Sequence, residues 1–201
     1  MANHYYSEKQ DGLKSNPSSY VFNFKNQRFT FKSDAGVFSK NYIDFGSFTL
    51  LNAFKAEIET GSILDMGCGY GPIGITLATL YPTFKVKMTD INERALDLAL
   101  ENINTHHVKN AEVLKSNMFE AILPDEKFDY ILTNPPIRAG KQVVFGIYDG
   151  SFNHLKEGGE LWVVIQKKQG AASSQKHIEE VFGNCSVVTK EKGYYILKAT
   201  R

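Results

Sequence analysis

Two short runs of this 201-residue chain hold residue types whose spacing can do chemistry. The first reads Ile63-Leu64-Asp65-Met66-Gly67-Cys68-Gly69-Tyr70-Gly71-Pro72. Glycines let the backbone take positive φ and let a ligand come close to the main chain. Proline at a first helical turn costs the helix nothing, because the missing N–H is unpaired there anyway. The remaining N–H groups of that turn are open donors. A strand, a glycine turn and a helix start in this order form a nucleotide-type binding loop. Asp65 narrows the ligand: a carboxylate just before the loop repels a pyrophosphate and suits a ligand that carries an ammonium. The second run is Ile131-Leu132-Thr133-Asn134-Pro135-Pro136-Ile137. Two prolines fix φ and remove two donors, leaving carbonyls as the main-chain hydrogen-bonding groups. Asn134 Oδ1 and the Pro135 carbonyl can then accept two hydrogen bonds from one planar NH2 group.

That acceptor pair fits methylation of an exocyclic or amide nitrogen. Such a nitrogen is a poor nucleophile, since its lone pair is delocalised into the attached π system. Acceptors on both N–H bonds favour the partly pyramidal nitrogen that develops during attack on a methyl group. No strong base is needed first, because the proton becomes acidic as the new bond forms. S-adenosylmethionine is a methyl donor with the required ammonium, and its sulfonium adds a second positive charge. Asp90 closes the next strand and can accept both ribose hydroxyls, or it caps the helix that follows. Ile91 next to it, Cys68 in the loop, and Asn117 with Met118 after the third strand complete the cofactor set. Asn117 is placed to bond the adenine. Met118 packs either on the adenine face or in the core.

The elements that must carry these residues follow from periodicity. Alternation around a polar turn predicts a β-hairpin from Tyr20 to Phe31. Apolar residues at helical spacing predict a helix over 45–58, capped near Gly46-Ser47. From residue 62 strands and helices alternate: strands at 62–66, 86–89, 111–115, 128–133 and 160–166, helices at 72–80, 93–106, 143–155 and 174–182. The sequence Lys156-Glu157-Gly158-Gly159 reads as a turn, and Ser173 or Ser174 as the cap of the last helix. Strands at 185–189 and 194–199 close the chain. Alternation of this kind means a mostly parallel α/β sheet covered on both faces, with one antiparallel strand inserted at the end. Open sheets of this type bind ligands at the carboxyl edge of their strands, so Asn134 faces the same crevice as the glycine loop.

Composition agrees with one globular unit. Hydrophobic residues are 42% and charged residues 22%, which excludes a disordered or collagen-like chain. No apolar run reaches the length of a membrane span, and the N-terminus has no apolar signal core. Two cysteines, Cys68 and Cys185, are too few for a disulfide framework or a metal cluster, and the chain is expected in a reducing cytoplasm. The net charge of +1 divides unevenly. Residues 1–60 carry +1, residues 61–137 carry −4, and residues 138–201 carry +4. A cationic C-terminal third can serve a polyanion.

With these residues in place, DMGCGYG, Asp90 and NPPI together resemble the class I S-adenosylmethionine-dependent methyltransferases that act on a planar NH2. TNPPIRAGK and the upstream GVFSKNYIDFGS narrow the resemblance to the small-subunit ribosomal RNA guanine-N2 methyltransferases. It extends from about Tyr20 to the C-terminus. The resemblance implies a Rossmann-like, doubly wound, seven-stranded methyltransferase domain over 61–201 and a hairpin-and-helix extension over 1–60. It implies methionine-end contacts from Asp65, Gly67, Gly69 and Gly71, a ribose contact from Asp90, and adenine contacts from Asn117 and Met118. It makes Asn134, Pro135 and Pro136 the catalytic clamp. Two departures stand out. Longer members carry a second, cofactor-less domain in front, for which 201 residues leave no room. Relatives also often have an aromatic where this chain has Ile137, so Phe38 or Phe45 is a candidate to stack on the base, unless either belongs to the core. Arg138 and Lys141 are expected to hold phosphates beside a flipped nucleotide, with Lys40, Arg28 and Lys32 extending that surface. The expected partner is ribosomal RNA or the small subunit, with no metal or membrane and a monomer favoured. A protein glutamine amide or an adenine N6 fits the same clamp. A binding protein without catalysis is the remaining alternative.

Overall fold

The computed structural model describes residues 14–201. The first thirteen residues of the 1–60 extension, and with them the expectation about the N-terminal segment, lie outside the described residues. A two-stranded antiparallel hairpin, β1 (Ser18–Phe24) and β2 (Gln27–Ser33), comes first. It turns at Lys25 and Asn26, both at positive φ. Alternation decides its faces: Phe22, Phe24, Phe29 and Phe31 are buried, and the residues between them are exposed.

A seven-stranded sheet follows, built from β3 (Gly61–Met66), β4 (Phe84–Asp90), β5 (Ala111–Lys115), β6 (Phe128–Thr133), β7 (Leu155–Gln166), β8 (Ser186–Glu191) and β9 (Tyr194–Thr200). Its order is β5-β4-β3-β6-β7-β9-β8. Only β9 runs against the others, inserted between β7 and β8. The helices are α1 (Phe45–Ala53), α2 (Pro72–Leu80), α3 (Glu93–Thr105), α4 (Lys141–His154) and α5 (Ala171–Phe182). Strand order reverses between β3 and β6, so the crevice at their carboxyl ends receives both the glycine loop and Asn134.

Two apolar cores flank the sheet. One holds the hairpin phenylalanines with Leu50, Phe54, Ile75, Met88 and Trp162. The other holds Leu64, Val144, Tyr148, Leu161 and Phe182. The hairpin therefore shares a core with the sheet. Asn102, buried on α3, accepts from Lys32 N–H (2.8 Å) and donates to the carbonyls of Lys32 and Tyr70 (both 2.9 Å). His106 accepts from Thr30 N–H and packs on Phe29 and Phe31, which is a structural role.

Four departures from the sequence reading have a visible structural cause, beyond shifts of one to a few residues at other element ends. The first helix stops at Ala53 because Phe54 turns extended and buries its ring among Tyr81, Tyr130 and Trp162. Its cap is Asp44, whose carboxylate accepts from Ser47 N–H, rather than Gly46-Ser47. The stretch read as a turn at 156–159 is a bulge within β7. Phe128 pairs with Leu155 and Tyr130 with Glu160, so the extra residues are absorbed between those pairs. The last helix begins at Ala171 after Gly170 in the left-handed region, and Ser174 is buried as an acceptor for the Tyr148 hydroxyl. Among the described residues no helix is long and apolar enough to cross a membrane.

Candidate active site

The glycine loop leaves β3 and folds back on β4. The N–H groups of Gly67 and Cys68 both donate to the Thr89 carbonyl, at 2.8 and 2.9 Å. Gly67 and Gly69 have φ of +75° and +57°, and a Cβ on either would meet nothing within 4 Å. Their missing side chains thus leave an open edge for a ligand. Gly71 differs. At φ +92° it starts α2, and a Cβ there would stand 2.7 Å from Met88 and 2.8 Å from Ile75, so its role is packing. Cys68 lines the pocket and is buried, which pushes its thiol well above the ordinary range.

Carboxylates surround this loop. Asp65 is completely buried; its Oδ2 accepts from Gly74 N–H at 2.8 Å, while its Oδ1 has no partner. Burial, reinforced by the nearby Asp90 charge, pushes its pKa to about 7 despite the Gly74 bond. An unpartnered buried carboxylate oxygen is costly and calls for a cation or donor. Asp90 accepts from Gly69 N–H at 2.8 Å and from Asn92 N–H at 2.9 Å. One acceptor direction remains on each oxygen for a pair of hydroxyls. The cap of α3 is Asn92, which accepts from Ala95 N–H, so Asp90 is spared that duty. Burial also raises Asp90 and Asp44 above the ordinary carboxylate range. A crevice lined by the carboxylates of Asp44 and Asp90, with Asp65 buried outside its lining, disfavours a pyrophosphate and favours a cationic ligand.

Asn134 reaches the same crevice from the end of β6. Its Nδ2 donates to Asp44 Oδ1 at 3.2 Å and to Ser47 Oγ at 3.0 Å. A carboxylate can only accept, so the amide is oriented by chemistry, and Oδ1 is the group left for an incoming donor. Pro136, at φ −75° and ψ 79°, is the centre of an inverse γ-turn in which Ile137 N–H bonds the Pro135 carbonyl at 2.9 Å. That carbonyl keeps a second lone pair for a substrate N–H.

The structure distributes the remaining sequence-predicted residues unevenly. Phe38, Asp44, Ser47, Gly67, Gly69, Asp90, Asn134, Pro135 and Pro136 line one cavity. Ile91 and Met118 line a second one, joined to it by Gly67, Asp90 and Pro136. Met118 sits at φ +49°, a sparsely populated region for such a side chain, and packs close to Gly146 on α4. The Asn117 amide donates to Glu120 at 2.9 Å and lies outside the second cavity, on its outer flank. Ile137 packs into the α4 core, while Arg138 and Lys141 are exposed just past the clamp. Phe38 is 45% exposed at the cavity rim. Phe45 lies outside the cavity lining, against Phe48 and Tyr194. Lys32 pairs with Glu101, and Arg28 stands at the hairpin tip, opposite the end where Ser18 bonds the Lys40 carbonyl.

Sequence reasoning missed Asp44 and Ser47 as partners of Asn134. It also missed Tyr70, whose hydroxyl meets the Tyr20 hydroxyl at 2.7 Å and donates to the Ser39 carbonyl at 3.0 Å, tying the loop around Phe38 to the glycine loop. The signal for the first pair was the run Asp44-Phe45-Gly46-Ser47 in front of an apolar helix, a capping pattern that happens to face the crevice.

Fold and crevice together define a class I S-adenosylmethionine-dependent methyltransferase. Residues 28–198 match the methyltransferase small domain family, and the chain belongs to that family. It is 50% identical, over the whole of both chains, to the protein "Uncharacterized protein YbxB" of Bacillus subtilis. It is 30% identical to ribosomal RNA small subunit methyltransferase C of Vibrio cholerae, covering 91% of this chain and 53% of that one. Among solved structures, the T. thermophilus 16S rRNA N2 G1207 methyltransferase (RsmC), in complex with AdoMet and guanosine, superposes with a TM-score of 0.84 at 25% identity. That match covers 94% of this chain and 52% of the other. The chain thus spans about half the length of these named methyltransferases.

Proposed function

We propose that this chain methylates the exocyclic N2 of a guanine in small-subunit ribosomal RNA, with S-adenosylmethionine as donor. The observation that carries the reading is the fixed Asn134 amide. Its Nδ2 is held by Asp44 and Ser47, so its carbonyl oxygen is presented to the crevice lined by Gly67, Gly69 and Asp90, behind which Asp65 lies buried with one oxygen unpartnered. The residues fit the donor: Asp65 for the ammonium, Asp90 for the ribose hydroxyls, the open edge of Gly67 and Gly69 for the methionine chain, and Ile91 with Met118 for the adenine.

When bound, S-adenosylmethionine would supply a sulfonium methyl carbon open to in-line attack by the target nitrogen, the N–CH3 bond forming as the S–CH3 bond breaks to leave the neutral thioether, with one N–H proton of that nitrogen lost to solvent. Asn134 Oδ1 and the Pro135 carbonyl accept the two N–H bonds of that nitrogen and hold its lone pair toward the methyl. Acceptance of those bonds strengthens as the nitrogen gains positive charge, so these dipoles stabilise the transition state more than the ground state. Phe38, at the rim, offers a face for the base once it has left its stack. Arg138 and Lys141 stand beside the clamp for the adjoining phosphates. The named ribosomal RNA relatives, one holding guanosine, support guanine over an amide or adenine target. Such a substrate places the protein in the cytoplasm.

Methyl transfer from labelled donor tests the reading. Ribosomal RNA of each subunit, assembled small subunits, DNA and a glutamine-bearing peptide serve as acceptors, and digested nucleosides are identified by mass spectrometry. N2-methylguanosine in small-subunit RNA is expected. Label only in peptide or DNA, or only as N6-methyladenine, refutes it.

A further inference from the structure

The clamp is built against a second surface, on the C-terminal third of the chain. β7 runs three residues past the last pairing with β6, Thr133 with Val163, and ends at Gln166 on the same edge as Asn134. A short 3-10 turn, Lys167–Gln169, follows it. The Lys167 N–H donates to the Gly193 carbonyl at 2.7 Å, so this turn is tied to the tip of the β8–β9 hairpin, Lys192-Gly193. The tip in turn rests on the start of α1. Tyr194 packs on Phe45 with ring centres 5.7 Å apart, and Lys192 Nζ stands 4.6 Å from the centre of the Phe45 ring. The contact at Gly46 is close enough that a Cβ there would meet Tyr194 at 2.9 Å. Asp44 and Ser47, on either side of Phe45 and Gly46, are the residues that hold Asn134. One chain of contacts therefore joins the target clamp to three exposed lysines, Lys167, Lys168 and Lys192.

Among the described residues none of these three is ion-paired with a carboxylate, although Lys32, Lys87, Lys156 and Lys198 elsewhere on the molecule are. Glu191 is the one acidic residue in the hairpin tip. The segment that carries the three lysines, 138–201, has a net charge of +4. Unneutralised cations close to a site for a flat base suit the phosphates of the strand that bears the base.

We propose that Lys167, Lys168 and Lys192 form a phosphate-binding rail for the target RNA strand, on the α1 side of the clamp and opposite Arg138 and Lys141. It rests on the RNA reading above and adds to it where the strand runs. Held on both flanks of the clamp, a nucleotide can be everted between two fixed phosphate contacts. The hairpin's turn, Lys25 to Arg28, carries similar exposed charge but lies at the end of β1–β2 away from the pocket, and has no part in the rail.

The test compares the full chain with two variants, K167A/K168A/K192A and, as a control that removes two exposed cations away from the pocket, K25A/R28A. Binding to small-subunit ribosomal RNA is followed over a salt series, with S-adenosylhomocysteine affinity as a check on folding. Loss of three phosphate contacts should lower the slope of log affinity against log salt by about 2 to 3 and weaken binding at least tenfold near 0.1 M salt. The control should leave the slope within about 0.5 of wild type. Unchanged slope in the triple variant, or an equal drop in the control, overturns the rail while the RNA reading stands. Loss of affinity for assembled subunits but not for naked RNA also overturns it, since the surface would then face a ribosomal protein. Absence of RNA binding and of RNA methylation by the wild type removes both readings together.

Discussion

Binding of S-adenosylhomocysteine should expel a proton from Asp65 below neutral pH. In the free protein Asp65 is fully buried, with Oδ1 unpartnered and a pKa pushed to about 7 chiefly by burial. The ligand's ammonium beside that oxygen favours the charged form, so the carboxylate is ionised throughout the complex. At pH 6 the free site holds about 0.9 of a proton, and binding must release it. Apparent affinity follows the ionised fraction of the free site. Between pH 7.5 and pH 5.5 that fraction falls about 25-fold, or about 2 kcal/mol of binding free energy. The ligand's own ammonium stays charged over this window, so the loss belongs to the protein.

Calorimetry in buffers of different ionisation enthalpy counts the released protons directly. Asp65→Asn supplies the control. Its side-chain carbonyl can still accept from Gly74 N–H, so the local bond survives while the charge is lost. The variant should bind more weakly at pH 7.5, release no proton and show little change in affinity down to pH 5.5. Wild-type binding that is independent of pH would refute the ammonium contact. Proton release that persists undiminished in the variant would assign the titration to Asp90 or Asp44 instead, and the argument from the unpartnered oxygen would fail.

Asn134→Ala should leave S-adenosylhomocysteine affinity near wild type and lower kcat by about 10²–10³, the usual loss for one preorganised transition-state group; near-normal turnover would reduce it to a turn residue. Ser47→Ala removes one of the two acceptors that orient that amide, so kcat should fall by only about tenfold, with KM for the donor little changed, because one neutral hydrogen bond is worth about 1 kcal/mol. Stability of the ligand-free protein should fall as pH rises from about 4 to 7. Asp65 has a folded pKa above its unfolded one, so its contribution is complete below the unfolded pKa and is lost as pH rises through the folded one, with Asp90 and Asp44 acting in the same direction. Asp34 and Asp129 are shifted down by hydrogen bonds and cationic neighbours, and their contribution disappears only as pH falls below the ordinary carboxylate range. Thermal melts from pH 5 to 8 should therefore show a declining Tm, flattened by saturating ligand; a rising Tm would contradict the buried, unpaired Asp65.

The sheet was legible because its strands are short apolar runs between glycine, proline and polar turns. Three elements, 72–80, 111–115 and 128–133, match the structure residue for residue. The failures lie where tertiary contacts override local pattern. Phe54 continues the helical spacing of its neighbours, yet three aromatic rings offer it better burial in an extended conformation. The Gly158-Gly159 pair looks like a turn, but Gly158 N–H bonds the Arg201 carbonyl and Arg201 N–H bonds Gly159. A partner more than forty residues away keeps that stretch in the sheet, and no local window contains it. The site divides in the same way. Type and spacing single out Asp65, Gly67, Gly69, Asp90 and Asn134 as candidates at strand ends, and the structure brings all but the buried Asp65 to the lining of one cavity. Whether Phe38 or Phe45 faces the cavity could not be read in this way, because that depends on Tyr194 occupying the space beside Phe45.

The hairpin and α1 belong to the crevice as much as the glycine loop does. On the proposed reading Asn134 is only half of an acceptor site; without Asp44 and Ser47 its amide could turn over and present donors to the target. Those two residues stand at the start of α1, which is itself pinned by Tyr194 from the other end of the chain. On the opposite wall, Tyr70 belongs to the glycine loop but its hydroxyl is fixed by Tyr20 and Ser39, and its carbonyl by Asn102, which also grips Lys32. The hairpin thus sets the spacing between the donor loop and the segment that carries Phe38. A methyl transfer requires reacting atoms about 3–3.5 Å apart and in line, and a small misplacement costs rate steeply. The hairpin's burial in the core of the sheet is what supplies that rigidity, so weakening Tyr20–Tyr70 should disturb catalysis through geometry while leaving every group that touches the ligands chemically intact.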